Sequence, residues 1–283
     1  MTRLDLRAGA ATASILPELG GALTALRVAA TDLLRPAAED VTDPLGSSCF
    51  PLLPYANRIA DGRFVFAGEQ YRLPRNFGDH PHSLHGLGWQ QPWSIETHQD
   101  NEALLAHRHD GNDDWPWSYH ATQHIRLFPD RIVLTLMLTN SGKTPMPAGL
   151  GFHPYFPLDD ATRLSFQADA VWLADDTLLP VSRAPADAFG DWSSPCAVRG
   201  TTLIDNCYAG WSGAAAIEQG PVRLSLTSGG ADWLHLYRPP NETFFCVEPV
   251  THMPDALNRD APMTILAPGE SAALTMSLGW SGI

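Results

Sequence analysis

The stretch QHIRLFPDRIVLTLMLTNSG, residues 123–142, decides the fold class. Its second half alternates with a period of two, with Ile132, Leu134, Leu136 and Leu138 on one face and Val133, Thr135, Met137 and Thr139 on the other. Successive side chains of a β-strand point to opposite faces of a sheet, so this period indicates a strand. Pro129-Asp130-Arg131 supplies the residue types of a tight turn. The stretch therefore predicts a β-hairpin.

Similar patterns return along the chain, separated by turn residues. Residues 13–34, ASILPELGGALTALRVAATDLL, predict two strands joined at a turn, although a helix over 22–30 is an alternative. Short strands are also predicted within residues 68–76, 91–100 and 221–240. The 24 prolines and 23 glycines are spread throughout, without a linker or an internal repeat. We therefore expect one all-β domain over residues 1–283, built as a sandwich or a barrel.

Composition excludes several classes of function. The chain has 283 residues, of which 44% are hydrophobic and 17% charged, as in an ordinary globular protein. Its 31 acidic and 18 basic residues give a net charge of −13, and Lys143 is the only lysine. Nucleic acids and anionic membranes attract clustered cations, so neither is an expected partner.

Cysteine usage and the N-terminal residues bear on the compartment. The four cysteines form no CxxC pair, so we expect reduced thiols rather than a zinc knuckle or a disulfide scaffold. No stretch has the apolar length of a membrane span, and the N-terminal residues lack the pattern of a signal peptide. The sequence predicts a soluble cytoplasmic protein.

Four segments carry residues suited to chemistry. His153, in GFHPYF (151–156), precedes a proline that restricts its backbone, so it is either a satisfied core histidine or a titratable group aimed into a cleft. Asn57 and Arg58 offer donors for hydroxyl or carboxylate oxygens, unless Arg58 simply faces solvent. Asp205 ends an apolar strand, where it forms a turn or accepts hydrogen bonds from a polyol. Glu248 ends the apolar run ETFFCVEP, and a carboxylate there is at a rim or is buried and paired.

Three histidines and a tryptophan-bearing segment have simpler interpretations. His80, His82 and His85 suggest a metal site of the cupin type, but no acidic residue follows His82 at the short spacing such a site needs. We therefore predict no metal. The acidic segment HDGNDDWPW, residues 109–117, is interpreted as a surface loop whose tryptophans stack on a ligand or, more commonly, fill core edges.

The order of these segments resembles the aldose 1-epimerases, or mutarotases. The motifs are NRI-DG-F---G--Y-L--N, LHG--W---W, G-HPYF, D--Y and VEP------DALN, and the resemblance covers nearly the whole chain. It implies a β-supersandwich, of the galactose mutarotase-like kind, with an open cleft that holds a hexose. It also implies that Glu248 is the catalytic base and His153 the acid, and that Arg58, His85, Asp205 and Asn57 contact sugar oxygens.

The reaction implied is the interconversion of α- and β-anomers of a free aldose such as galactose or glucose, with no cofactor. We expect a carboxylate such as Asp205 to raise the proton affinity of His153, and hydrogen bonds to keep Glu248 ionised. Alternatives are a hexose-6-phosphate 1-epimerase, with Arg63, Arg72 or Arg75 near the phosphate, and a non-catalytic sugar-binding or sugar-sensing protein. The identity of the aldose, the roles of His80 and His82, and the choice between monomer and homodimer stay open.

Overall fold

The computed structural model describes residues 1–259 and 263–282, and strands dominate these ranges. In chain order the strands are β1 (Leu4–Ala8), β2 (Ala11–Leu16), β3 (Ala22–Val28), β4 (Thr31–Asp32), β5 (Cys49–Leu52), β6 (Arg58–Ile59), β7 (Arg63–Phe66), β8 (Glu69–Arg72), β9 (Ser83–Leu84), β10 (Ser94–His98), β11 (Glu102–His109), β12 (Tyr119–Phe128), β13 (Arg131–Asn140), β14 (Met146–Ala148), β15 (Gly151–Pro157), β16 (Arg163–Phe166), β17 (Ala170–Ala174), β18 (Pro180–Pro185), β19 (Cys196–Ala197), β20 (Ile204–Ala209), β21 (Ala214–Gln219), β22 (Val222–Gly229), β23 (Trp233–Arg238), β24 (Phe244–Val250), β25 (Thr264–Leu266) and β26 (Ser271–Ser281). Short 3-10 helices lie at Pro44–Gly46, Ala60–Gly62 and Ala256–Asn258.

The predicted hairpin of residues 123–142 is confirmed as β12 and β13. The two strands pair antiparallel with Phe128 opposite Arg131, so Pro129 and Asp130 form the turn. Buried and half-buried side chains alternate along the whole of β12. On β13 the predicted apolar face is buried, with Leu136 and Leu138 fully inaccessible to solvent. Burial of one face of each strand is what holds the register, since a slip of one residue would expose it.

Two large antiparallel sheets form the body of the molecule. The first runs β1-β2-β3-β5-β15-β24-β23-β20-β17-β18, with β4 beside β3, and the second runs β10-β11-β12-β13-β26-β22-β21-β16-β19. The sheets meet where β1 and β2 pack against β12, and Gln123 Nε2 donates a hydrogen bond of 2.9 Å to the carbonyl of Gly21 there. One continuous cluster of buried apolar side chains extends from Leu4 to Leu278. This is the predicted all-β supersandwich.

Two details of the sequence prediction are decided by packing. Residues 22–28 form strand β3 and not the alternative helix, because β3 pairs with β2 along its length and with β5 at Leu23. Residues 110–118 form a loop as predicted, but Trp115 and Trp117 are buried and pack with Phe64, which agrees with the core-edge interpretation. Among the described residues, no helix has the length and apolarity needed to cross a membrane.

Five neighbouring strands at the centre of the first sheet, β5, β15, β24, β23 and β20, build one functional face. Because the strands are paired in register, side chains that point to the same face of the sheet form rows that run across the strands. One row contains Phe50, His153, Glu248, His235 and Cys207, and the adjacent row contains Tyr155, Cys246, Tyr237 and Asp205. Residues far apart in sequence are therefore placed side by side.

Candidate active site

His153 and Glu248 form a close buried pair at the centre of this face. His153 Nε2 lies 3.3 Å from Glu248 Oε1, and the two residues are only 5% and 1% exposed. The rings of Phe50 and Tyr155 each stack on the imidazole with centroids 4.7 Å apart, which fixes its plane. Glu248 Oε2 is buried without a hydrogen-bond partner among the described residues. The pair is thus rigid and retains an unused acceptor.

Burial sets the proton affinities of this pair in a direction opposite to our expectation. It lowers the pKa of His153 to about 3, with a smaller contribution from the nearby His235 charge, and the opposing effect of Asp205 is too weak to reverse this. Burial also raises the pKa of Glu248 well above its ordinary value. The expected upward shift of the His153 pKa is therefore wrong, and hydrogen bonds do not offset the effect of burial on the Glu248 pKa as expected. Desolvation favours the neutral form of both groups because a low-dielectric site disfavours charge.

Arg58 and Asp205 form a second buried pair with fork geometry. Arg58 donates from Nη1 and Nη2 to the two carboxylate oxygens at 3.1 and 2.7 Å, and His235 Nε2 donates to Oδ1 at 2.7 Å. Burial alone would raise the pKa of Asp205, but the hydrogen bond from His235 and the charge of Arg58 outweigh it and hold that pKa well below its usual range. Asp205 is consequently an anion that accepts from both side chains and orients them.

The NR and LHG segments interlock at one end of the site. Asn57 and His85 both have left-handed backbones, with φ of 57° and 60°. The Asn57 N–H donates to His85 Nδ1 at 3.0 Å, so the neutral ring carries its proton on Nε2. Burial lowers the pKa of His85 well below its ordinary value. A side chain on Gly86 would place its Cβ 2.3 Å from the carbonyl oxygen of Leu53, which explains the glycine after His85.

All six residues proposed from the sequence line one cavity of about 400 Å³, a size suited to a monosaccharide. They are Asn57, Arg58, His85, His153, Asp205 and Glu248. The sequence analysis missed His235, Arg35 and Tyr237, and it gave Tyr155 no role in the site, although all four line the cavity. The polar His235 on the apolar strand WLHLYR was the one available signal.

Of the other polar residues considered in the sequence, one lines the cavity and the rest lie outside it. His80 lines the cavity and accepts a 3.4 Å hydrogen bond from Arg58 Nε, whereas His82 is not among the lining residues and accepts from the Asp61 N–H at 3.0 Å. Arg63, Arg72 and Arg75 are exposed and line no part of the cavity.

One arrangement within the site has the spacing of a metal cluster. Ligand atoms of His153, Cys246 and Glu248 all lie within 4.8 Å of one another. Burial, however, raises the pKa of the Cys246 thiol and of Glu248, and metal ligation needs the deprotonated forms. His80, His82 and His85, for which a cupin-type site was considered and not predicted, are not the residues in this arrangement, and its donor set fits proton transfer better than ligation.

Comparison with known proteins agrees with the fold and the motifs. The family model described as aldose 1-epimerase matches residues 2–279. The chain is 34% identical over 276 residues to YphB of Escherichia coli K12, a protein of uncharacterised function, covering 92% of each chain. It is 32% identical over 171 residues to the E. coli aldose 1-epimerase, covering 55% of this chain and 47% of that enzyme.

Solved structures extend the likeness to the entire fold. A candidate aldose 1-epimerase from E. coli K12 superposes with a TM-score of 0.92 at 31% identity, covering 100% of this chain and 99% of the other. A family model that spans nearly all residues, together with the cavity just described, leaves one assignment. This chain belongs to the aldose 1-epimerase family, whose members are isomerases acting on sugars.

Proposed function

We propose that the protein interconverts the α- and β-anomers of a free aldose, such as galactose or glucose, by opening and reclosing the hemiacetal ring. The observation that supports this most directly is the buried His153–Glu248 contact of 3.3 Å in a cavity the size of one sugar. A buried acid and base in contact with each other are needed for proton transfer, whereas binding a sugar requires only side chains that pair with its hydroxyl groups.

Ring opening requires two proton transfers. Glu248, as the base, takes the proton from the C1 hydroxyl, while His153, as the acid, gives a proton to the ring oxygen and the C1–O5 bond breaks. The aldehyde rotates about C1–C2, and closure on the opposite face reverses both transfers. The pair then holds the same number of protons as before, so the cycle needs no redox step and no group transfer.

The charge state of the pair must change when sugar binds. Desolvation favours neutral forms in the cavity, whereas the mechanism starts from an ionised Glu248 and a protonated His153. A sugar hydroxyl that donates to Glu248 Oε2 would favour the carboxylate, because hydrogen bonds to a charged form stabilise it. The proton released from Glu248 needs to travel only the 3.3 Å contact to His153.

The other polar groups hold the sugar in place. Arg58 is oriented by Asp205 and by Asn57 Oδ1, which accepts from Arg58 Nη1 at 2.9 Å. His85 offers an Nε2–H donor because its Nδ1 is already occupied. These groups bind sugar oxygens in both anomers, so we assign them to binding rather than to proton transfer.

The wider setting belongs to the same proposal. We infer that residues 1–283 act as one domain on a monosaccharide without a cofactor. A cytoplasmic location is consistent with the four free cysteines, since reducing compartments keep thiols unpaired.

Polarimetry on freshly dissolved α-galactose or α-glucose tests the proposal, with the spontaneous rate subtracted. Glu248→Gln and His153→Asn should each fold and bind sugar but lose about 10²- to 10⁴-fold in kcat, the usual contribution of a positioned proton-transfer group. Glu242→Gln and His98→Asn change exposed residues of the same types and serve as matched controls. Wild-type rates in both active-site variants would reject the roles of Glu248 and His153. Binding of sugar without any acceleration by the wild-type protein would reject the enzyme in favour of a sugar-binding protein.

A further inference from the structure

Arg35 is a second arginine at the edge of the sugar cavity, and the backbone around it is firmly held. Its N–H donates to the Tyr155 carbonyl at 2.9 Å, and Ser48 Oγ donates to the Arg35 carbonyl at 2.6 Å. Its Nη2 donates to the carbonyls of Leu45 and Ser47 at 2.5 and 2.7 Å. The side chain therefore enters the cavity wall in one defined orientation.

The guanidinium of Arg35 packs over two aromatic rings. Its central carbon lies 3.7 Å from the centroid of Tyr155 and 4.6 Å from that of Phe244. Such cation–π contacts fix a planar cation without neutralising its charge. Tyr155 also stacks on His153 with centroids 4.7 Å apart, so one ring touches both the proposed acid and this cation.

The charge of Arg35 is unbalanced, in contrast to that of Arg58. Arg58 is neutralised by Asp205 at 2.7 Å, whereas no carboxylate among the described residues lies within 4.0 Å of Arg35. Nε and Nη1 of Arg35 make no hydrogen bond within the described ranges, although the residue is only half-exposed. The chain has 31 acidic residues, yet none of those within residues 1–259 and 263–282 forms an ion pair with Arg35. Arg35 lines the sugar cavity, so its wall carries a positive charge without a counterion and two donors without a protein partner among the described residues.

We propose that Arg35 forms an anion subsite, and that the preferred substrate is an aldose carrying a negatively charged exocyclic group, a carboxylate or a phosphate. This inference rests on the proposed anomerisation. The Tyr155 ring contacts both the guanidinium and the His153 imidazole, so the subsite adjoins the proposed acid. Guanidinium groups pair with carboxylate and phosphate oxygens through parallel N–H donors.

The experiment compares anomerisation of galactose, galacturonate and galactose 6-phosphate, and of the matching glucose series, at pH 7. Spontaneous rates are measured without enzyme for each sugar and subtracted, since an anionic group accelerates its own ring opening. We expect kcat/KM to be at least about tenfold higher for one anionic sugar than for its neutral parent, the worth of one charge-assisted contact. The carboxylate and phosphate arms identify which anion is preferred.

Variants separate this role from a structural one. Arg35→Gln should abolish the preference for the anionic sugar, and Arg35→Lys should restore part of it because the charge returns. Arg72→Gln removes an exposed arginine outside the cavity and should keep the wild-type preference. Equal or lower efficiency of the wild-type protein on both anionic sugars overturns the subsite, a measurement that needs no variant. Failure of the proposed function is distinct, because it would abolish enzymatic acceleration with neutral and anionic sugars alike.

Discussion

Replacing His153 by asparagine should make the protein more resistant to acid while it removes activity. Burial lowers the pKa of His153 to about 3 from the ordinary 6.5, so the unfolded state takes up a proton at a higher pH than the folded state does. The stability contributed by the neutral imidazole is complete above the unfolded pKa of 6.5 and is lost as the pH falls toward 3. The imidazole therefore destabilises the folded protein in mild acid.

The size of the effect follows from these two pKa values. Between pH 7 and pH 5, protonation of His153 in the unfolded chain costs about 2 kcal/mol of the free energy of unfolding. Asparagine does not titrate, so the variant should lose about 2 kcal/mol less than the wild-type protein over that interval. Glu248 affects the pH dependence of the free energy of unfolding in the opposite direction, because its raised pKa favours the folded state at low pH. Asparagine at position 153 is neutral, as the buried imidazole is, so the contribution of Glu248 is the same in both proteins and cancels in the comparison.

Urea unfolding followed by tryptophan fluorescence at pH 5, 6 and 7 provides the assay, with the free energies compared at each pH. His98→Asn removes an exposed imidazole and should reproduce the wild-type profile. Parallel stability profiles of the wild-type protein and His153→Asn would refute the reasoning, since they would mean that the imidazole is protonated equally in both states.

Three further perturbations test the rest of the site. Asp205→Asn leaves Arg58 buried without its counterion, and the free energy of unfolding should fall by about 3–5 kcal/mol in urea titrations. A loss below about 1 kcal/mol would mean that water screens the pair. Arg58→Ala should raise KM more than it lowers kcat, and steady-state polarimetry showing a loss confined to kcat would contradict its binding role. On the acidic side of the pH profile, the wild-type kcat/KM should begin to fall at a pH above the ordinary glutamate pKa of 4.5, because only the ionised form of Glu248 is a base and burial raises its pKa. A kcat/KM that stays constant down to pH 4.5 would argue against Glu248 as the base.

The residues and local patterns of the site were accessible from sequence. Period-two alternation located the hairpin of residues 123–142, and the ordered motifs around Asn57, His85, His153, Asp205 and Glu248 predicted a supersandwich and a sugar cavity. The hairpin prediction is confirmed because strand periodicity and turn residues are local properties of the chain. The supersandwich was implied by the resemblance to a family and is also confirmed, whereas the sugar site stays a prediction. Two local patterns were ambiguous in the sequence, namely the tryptophans of residues 109–117 and the possible helix over 22–30. Packing against other strands decided both, and that packing is not a local property of the chain.

What the sequence alone determined is the set of side chains that can transfer protons and the strands that carry them. Only the tertiary structure decided the direction of their pKa shifts, because desolvation is a property of the assembled cavity. It lowers the pKa of His153 and raises that of Glu248, against the expectations drawn from a nearby carboxylate and from hydrogen bonds. It also brought Arg35 into the cavity wall from outside the quoted motifs, and it placed Tyr155 of the G-HPYF motif there as well. A cross-strand row joins residues nearly 200 positions apart, such as Phe50 and Glu248, and that neighbourhood exists only once the sheet has formed.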